Sequence, residues 1–131
     1  MKQATPPNEV STPIVHILTE VYKELYLCGK KVPKRDRFGL YAKVEAIGIE
    51  CLTLSIEAAL EEKSSKIAPL KKLRISIDVA KRLVRLCQEL DLIEEKKYFM
   101  LQEKLIEASK MAAGWLAYAQ RQGPRERGPY S

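Results

Sequence analysis

The stretch PLKKLRISIDVAKRLVRLCQEL, residues 69–90, decides what kind of fold this chain can adopt. Its apolar residues recur every three or four positions, which is the spacing of an α-helix, and no strand-like alternation is sustained. At about 100° per residue, one set of these residues falls on a single stripe, the kind of face that a helix buries against a core. The stripe consists of Leu73, Ile77, Ala80, Val84 and Cys87.

A second apolar stripe runs along the same helix, roughly 130° away around the axis. It holds Ile75, Val79, Leu83, Leu86 and Leu90. A helix on the outside of a monomeric bundle needs only one apolar stripe. We therefore predict that Ile75, Val79, Leu83 and Leu86 form the subunit interface of a homo-oligomer. The alternative is a wide core face on an irregular bundle.

The rest of this helix surface is strongly basic. Lys71, Arg74, Asp78, Lys81 and Arg85 follow one another at helical spacing, with Arg82 beside them. Asp78 can pair with neighbouring cations, but each such pair is worth only a few tenths of a kcal/mol. This arc is either a solvated, partly paired face or a surface that binds phosphate groups.

Three further helical patterns extend outward from this stretch, and the prolines lie at the ends and connections. Short connections favour an all-α, antiparallel up-down four-helix bundle, which we place at residues 13–123, with flexible tails at 1–12 and 124–131. The predicted helices run from Pro13, capped by Ser11 or Thr12, to Gly29; from about Phe38 to Lys63; from about Lys66 to Glu89; and from the end of LDLI to Gly123.

The first connection, VPKRDRFGLYAKV (residues 32–44), is a second basic cluster. We expect Pro33 and Phe38 to fix the start of the second helix and Arg37 to pair locally with a helix acid. Lys34 and Arg35 are the candidates for reaching a partner. Two basic clusters on one small bundle favour phosphate binding.

Composition agrees with this interpretation. The 131 residues are 46% hydrophobic and 31% charged, which is typical of one globular domain, and the net charge of +6 suits a polyanionic partner. The three cysteines, Cys28, Cys51 and Cys87, are far apart in apolar patterns, as expected for reduced core thiols in a cytoplasmic protein. The sequence predicts neither a signal peptide nor a membrane span.

The sequence contains few of the histidine and cysteine residues that catalytic sites and metal sites commonly use. His16 is the only histidine, so paired Glu-x-x-His motifs of a di-iron bundle cannot form, and no Cys-x-x-Cys pair suggests zinc. We predict a protein without enzymatic activity, metal or cofactor. Among the aromatic residues, Trp115 lies on the stripe of Leu105, Ala108 and Ala112, which favours a core anchor over a base-stacking platform.

Three segments carry a resemblance that covers roughly residues 14–122: VPKRDRFGLYAKV, the run KRLVRLCQELDLI (81–93) and AGWL (113–116). They resemble the first connection, the end of the third helix and the Trp-containing signature of a family of small four-helix bundles. Within that family the chain looks most like the accessory variability determinants of diversity-generating retroelements. A sister branch comprises proteins encoded in ribosomal RNA intervening sequences.

The resemblance implies a non-catalytic, barrel-shaped homopentamer with a basic surface. Such proteins bind the retroelement reverse transcriptase and its template RNA and support mutagenic retrohoming. Lys81 and Arg85 match the family's paired basic positions, although Arg is usual where Lys81 stands, and Lys lacks bidentate phosphate geometry. With the residues of the two basic clusters added, the candidate residues for binding nucleic acid or the reverse transcriptase are Lys34, Arg35, Lys71, Arg74, Lys81, Arg82 and Arg85. The alternative is a structural oligomer of the intervening-sequence type without a specific nucleic-acid role.

Overall fold

The computed structural model describes residues 12–126, with side chains to Arg121. Four long helices and one short helix make up this part of the chain, which contains no strand. The prediction of an all-helical fold with four long helices is confirmed. The helices are α1 (Pro13–Gly29), α2 (Lys34–Arg37), α3 (Leu40–Leu60), α4 (Ile67–Glu89) and α5 (Glu95–Glu126), and a 3₁₀ turn (Lys63–Lys66) precedes α4.

The long helices form an antiparallel bundle in which each helix packs against the next and α5 closes onto α1. The end of α1 and the start of α5 line one shared cavity, where Lys97 Nζ lies 3.0 Å from Glu24 Oε2. At the opposite end, Pro13 and Ile14 line a cavity together with Trp115. The first and last helices therefore run in opposite directions, as the up-down topology requires.

The start of α1 follows from its cap. Thr12 has an extended backbone, and its Oγ1 accepts a hydrogen bond from Val15 N at 3.3 Å. Pro13 occupies the first turn, where no backbone N–H is needed. Thr12 is thus the cap, while the other candidate, Ser11, lies outside the described residues.

The end of α4 is a backbone motif. Leu92 N donates to Cys87 O at 2.8 Å and Asp91 N donates to Gln88 O at 3.0 Å, which is the hydrogen-bond pattern of a Schellman motif. Asp91 takes the left-handed conformation, with φ of 62°, at the position where glycine is usual. The turn reverses the chain within five residues and buries Ile93.

The core consists of the predicted stripes. All five residues of the first α4 stripe are buried, and so are Ile14, Leu18, Val21 and Leu25 of α1. Tyr41 is fully buried at the start of α3, and its hydroxyl donates to the carbonyl of Leu25. Its ring lies so close to Gly29 that a Cβ there would be 2.9 Å from a ring carbon. Glycine is therefore needed where α1 ends.

The first connection differs from its prediction. Residues 34–37 form a separate short helix, and Phe38 caps its end with 72% of its surface exposed. Phe38 therefore does not pin the start of α3, because α2 turns its side chain away from the bundle; the buried residue of this segment is Val32. Arg37 Nη2 donates a hydrogen bond to Val32 O at 3.2 Å. Burial raises the pKa of Glu45, and the nearby charge of Arg37 opposes part of this effect.

Two features of α5 also differ. The helix extends to Glu126, three residues past the predicted end at Gly123, since glycine permits a helix end but does not impose one. Trp115 is half-buried at the edge of the core, and Leu116 is the buried side chain of that turn. Lys66 Nζ sits 5.6 Å from the centroid of the Trp115 ring, on a cation–π contact.

Trp115→Ala is consequently expected to lower the free energy of unfolding by about 2 kcal/mol, less than the roughly 3–5 kcal/mol of a fully buried tryptophan. Part of the Trp115 side chain already contacts water, so less apolar area is lost than at a fully buried position. Urea denaturation followed by circular dichroism measures the change. Leu116→Ala is the matched control and should cost more; the reverse order would contradict the peripheral placement of Trp115.

Candidate nucleic-acid interface

Helix α4 presents three different surfaces around its axis. Its buried stripe faces the core. On the side toward α5, Gln102 Nε2 donates to Lys81 O at 2.9 Å. On the side toward α3, Ser76 Oγ donates to Glu50 Oε2 at 3.4 Å. The basic residues lie on the α5 side and the second apolar stripe on the α3 side, so α4 separates a charged surface from an apolar one.

Three predicted site residues come together in a shallow groove between α4 and α5. Lys81, Arg82 and Arg85 line it, together with Asp78. The groove therefore carries three cations against one acid. We refer to it as the basic groove.

Local ion pairs hold two of these cations only weakly. Lys81 Nζ lies 3.8 Å from Asp78 Oδ1, and Arg85 Nε lies 3.1 Å from Glu89 Oε2. The hydrogen bond to Glu89 is also the main reason that the pKa of Arg85 is raised. Solvent screens surface pairs of this kind, so an incoming phosphate can compete for both cations.

The other predicted basic residues lie outside the groove. Lys71 and Arg74 are exposed on the same side of α4, but about 15 Å along the axis from Lys81 and Arg85 respectively. They extend the basic surface toward the opposite end of the bundle. Phosphates bound at both places would have to belong to a chain that follows the helix.

Lys34 and Arg35 are exposed on α2. Arg35 Nη2 is 3.6 Å from Asp36 Oδ1, in a surface pair. The charge of Asp36 adds to burial in raising the pKa of Cys87, which places α2 beside the end of α4. Lys34 and Arg35 therefore share an end of the bundle with Arg85, although they do not line the basic groove.

The second apolar stripe is largely open to solvent. Ile75 is 65% exposed, Val79 41% and Leu86 37%, and Leu90 at the end of α4 is exposed as well. Leu83 differs, because it lies next to the buried stripe and packs against the core from a half-buried position. We call Ile75, Val79, Leu86 and Leu90 the apolar arc.

Sequence reasoning missed the other wall of the basic groove. Tyr98, Phe99, Gln102 and Ile106 of α5 line it opposite the cations. Phe99 is 59% exposed, and its ring centroid is 5.3 Å from that of Tyr98. One signal was present in the sequence: Phe99 lies well outside the α5 core stripe, so its ring had to meet either solvent or a neighbouring helix.

The described residues show little chemistry of other kinds. They contain no group of three His, Cys, Asp or Glu side chains that could hold a metal ion. His16 is exposed on α1. None of their helices combines the length and hydrophobicity needed to cross a bilayer.

Comparison of the chain with known protein families and curated proteins gives no match. No family model matches the chain, and no curated protein resembles it closely enough to count as a relative.

Proposed function

We propose that this protein is a non-catalytic accessory protein of a diversity-generating retroelement, which binds the reverse transcriptase and the template RNA through its basic surface and so supports mutagenic retrohoming. The observation that carries the proposal is the division of α4, where an exposed basic surface runs beside an exposed apolar arc. The resemblance of the three sequence segments supplies the biological setting.

The two surfaces of α4 can act together. An exposed apolar arc gains about 25 cal/mol for each Å² that a second copy covers. In a ring, the arc of one subunit contacts a different surface of the next, and the basic groove stays open to solvent if that surface is not the groove. A homopentamer would present the groove five times and raise avidity for a long polyanion without any new contact.

Recognition of RNA by this surface would depend mainly on its phosphates. Lysine and arginine side chains that contact phosphates position the nucleic acid but carry no sequence information. We therefore expect weak sequence preference and strong salt dependence. Lys81 supplies a point charge where arginine would allow bidentate contact, which lowers the specificity of that contact further.

A second candidate function is a structural oligomer with a solvated basic face. The pairs Lys81–Asp78 and Arg85–Glu89 favour it, because both cations already have a partner within the protein. The two candidates share the apolar arc and differ only in what the basic groove does.

Lys81→Ala combined with Arg85→Ala is expected to weaken RNA binding and to make the plot of log affinity against log salt shallower by about 0.7–0.9 for each phosphate that the variant no longer neutralises. Both side chains lie at the surface, so the fold and the oligomer mass should be kept. Fluorescence anisotropy with labelled template RNA over a salt series measures the effect, and a pull-down with the reverse transcriptase measures the second partner.

The matched control also removes two positive charges, but outside the groove. It combines Lys23→Ala and Lys110→Ala, on the exposed faces of α1 and α5. This control should keep most of the affinity. If the groove variant binds both partners like wild type, the structural oligomer becomes the better account.

A further inference from the structure

We infer that the basic groove holds an unpaired RNA strand, with phosphates on Lys81, Arg82 and Arg85 and a base stacked on Phe99. This inference rests on the proposed function and names the form of RNA that the surface takes. It comes from the α5 wall of the groove, which neither the charge pattern nor the sequence resemblance involves.

The ring of Phe99 contacts the ring of Tyr98 and is otherwise largely exposed. Its contact with Tyr98, at an angle of 51° between the ring planes, fixes one edge. Tyr98 is half-buried and packs against the core, so the core supports the Tyr98–Phe99 pair from one side. More than half of the Phe99 surface still faces water. A largely exposed ring that contacts a neighbouring ring is suited to stacking with a base.

The neighbours of Phe99 extend this platform along the groove. Ile106, about two turns further along α5, is 43% exposed and lines the same groove. Between them Gln102 is tied to the carbonyl of Lys81, which fixes α5 against α4 at this level. The apolar wall of α5 therefore lies directly beside the cations of α4.

The opposite wall provides charges at a spacing suited to a nucleic-acid backbone. Lys81 and Arg85 are one helical turn apart, about 6 Å along the axis. Arg82 lines the groove too and makes no ion pair with any residue the structure describes. A strand lying along the groove would thus meet cations on one side and an aromatic ring on the other.

This combination favours an unpaired strand over a duplex. In a duplex the base faces are stacked on one another, so Phe99 could contact sugars, phosphates and base edges but not a base face. In an unpaired strand the base faces are open, and stacking on an aromatic side chain contributes about 1–3 kcal/mol per base regardless of sequence. Only the unpaired strand uses both walls.

An acidic peptide with an apolar side chain is the competing occupant. It would meet the same cations and could place that side chain on Phe99. The groove offers a peptide backbone few side-chain partners, however, since Gln102 already uses one of its two amide hydrogens within the protein. An RNA strand, with regularly spaced phosphates and planar bases, fits the cations and the ring better than a peptide does. The experiment below distinguishes the two occupants.

The test compares Phe99→Ala with wild type on a labelled single-stranded RNA and on a duplex of the same sequence and length. We expect the variant to bind the single strand about 5- to 150-fold more weakly, which corresponds to one base that no longer stacks. Its duplex affinity and its salt slope should be unchanged, since every phosphate-binding side chain is kept. Phe99→Tyr keeps the stacking face and should restore the affinity.

Tyr118→Ala is the control, because this ring is similarly exposed on the same helix about 28 Å away. Thermal melts should show that all three variants fold, as truncating an exposed ring removes little packing. The control should bind both RNAs like wild type.

The outcomes distinguish this inference from the proposed function. If Phe99→Ala weakens single-strand and duplex binding equally, or weakens neither, the stacking inference is overturned, although the double variant at Lys81 and Arg85 can still support RNA binding. If Phe99→Ala keeps RNA affinity but no longer binds the reverse transcriptase, the groove holds a protein segment and the inference fails. If the wild type binds neither RNA, the RNA part of the proposed function fails as well.

Discussion

Ile75→Glu is expected to convert an oligomer into folded monomers. Ile75 is the most exposed residue of the apolar arc, so a charge there costs little in the monomer. In an assembly that buries the arc, the same carboxylate would lose its water without gaining a partner. Light scattering at micromolar concentration should give the mass of a multimer for wild type and of a monomer for the variant, with unchanged helicity.

Two comparisons make this result specific. Leu60→Glu places the same charge at another strongly exposed apolar residue, at the end of α3, and should leave the mass unchanged. Leu83→Glu should instead lower the melting temperature, because Leu83 packs against the core and its substitution acts on folding as well as on association. A wild-type protein that scatters as a monomer would rule out the subunit interface.

Tyr41→Ala is expected to lower the free energy of unfolding by about 3–5 kcal/mol, the cost of removing a large buried aromatic side chain. The ring fills the space between α1 and α3 next to Gly29, and burial holds the pKa of its phenol far above the ordinary range. The cavity left behind cannot close easily, because both helix ends around it are fixed by the first connection. Urea denaturation at constant protein concentration measures the loss.

Tyr41→Phe separates packing from hydrogen bonding. It keeps the ring and removes only the donor to the carbonyl of Leu25, for which about 1 kcal/mol is expected. Tyr26→Ala, at an exposed site on α1, should have almost no effect. A Tyr41→Ala variant as stable as wild type would mean that the junction of α1 and α3 can repack.

Helical periodicity predicted most of the fold because burial repeats with the helix turn. The α4 stripe from Leu73 to Cys87 shows this, since every member is buried. The errors lie where local geometry overrides the period. Phe38 follows a four-residue helix that spacing cannot detect, and Trp115 lies at the margin of its stripe, where a small rotation of the helix decides between half and full burial.

The candidate site was predictable on one side only. The cations of α4 form a pattern within one helix, so the sequence shows Lys81, Arg82 and Arg85 together. The facing wall comes from α5, and which α5 residues stand opposite depends on the axial position of two packed helices. The hydrogen bond from Gln102 to Lys81 O marks that position, and no pattern in the sequence encodes it.

The three thiols offer a practical route to labelling experiments. Burial raises the pKa of Cys28 and Cys87 to about 11 and that of Cys51 to about 12. Since only the thiolate attacks maleimides and iodoacetamides, all three cysteines should stay almost unmodified at neutral pH. A cysteine introduced at an exposed position would then take up nearly all of the labelling reagent. Dyes for distance measurements could be attached to a chain that keeps every native cysteine.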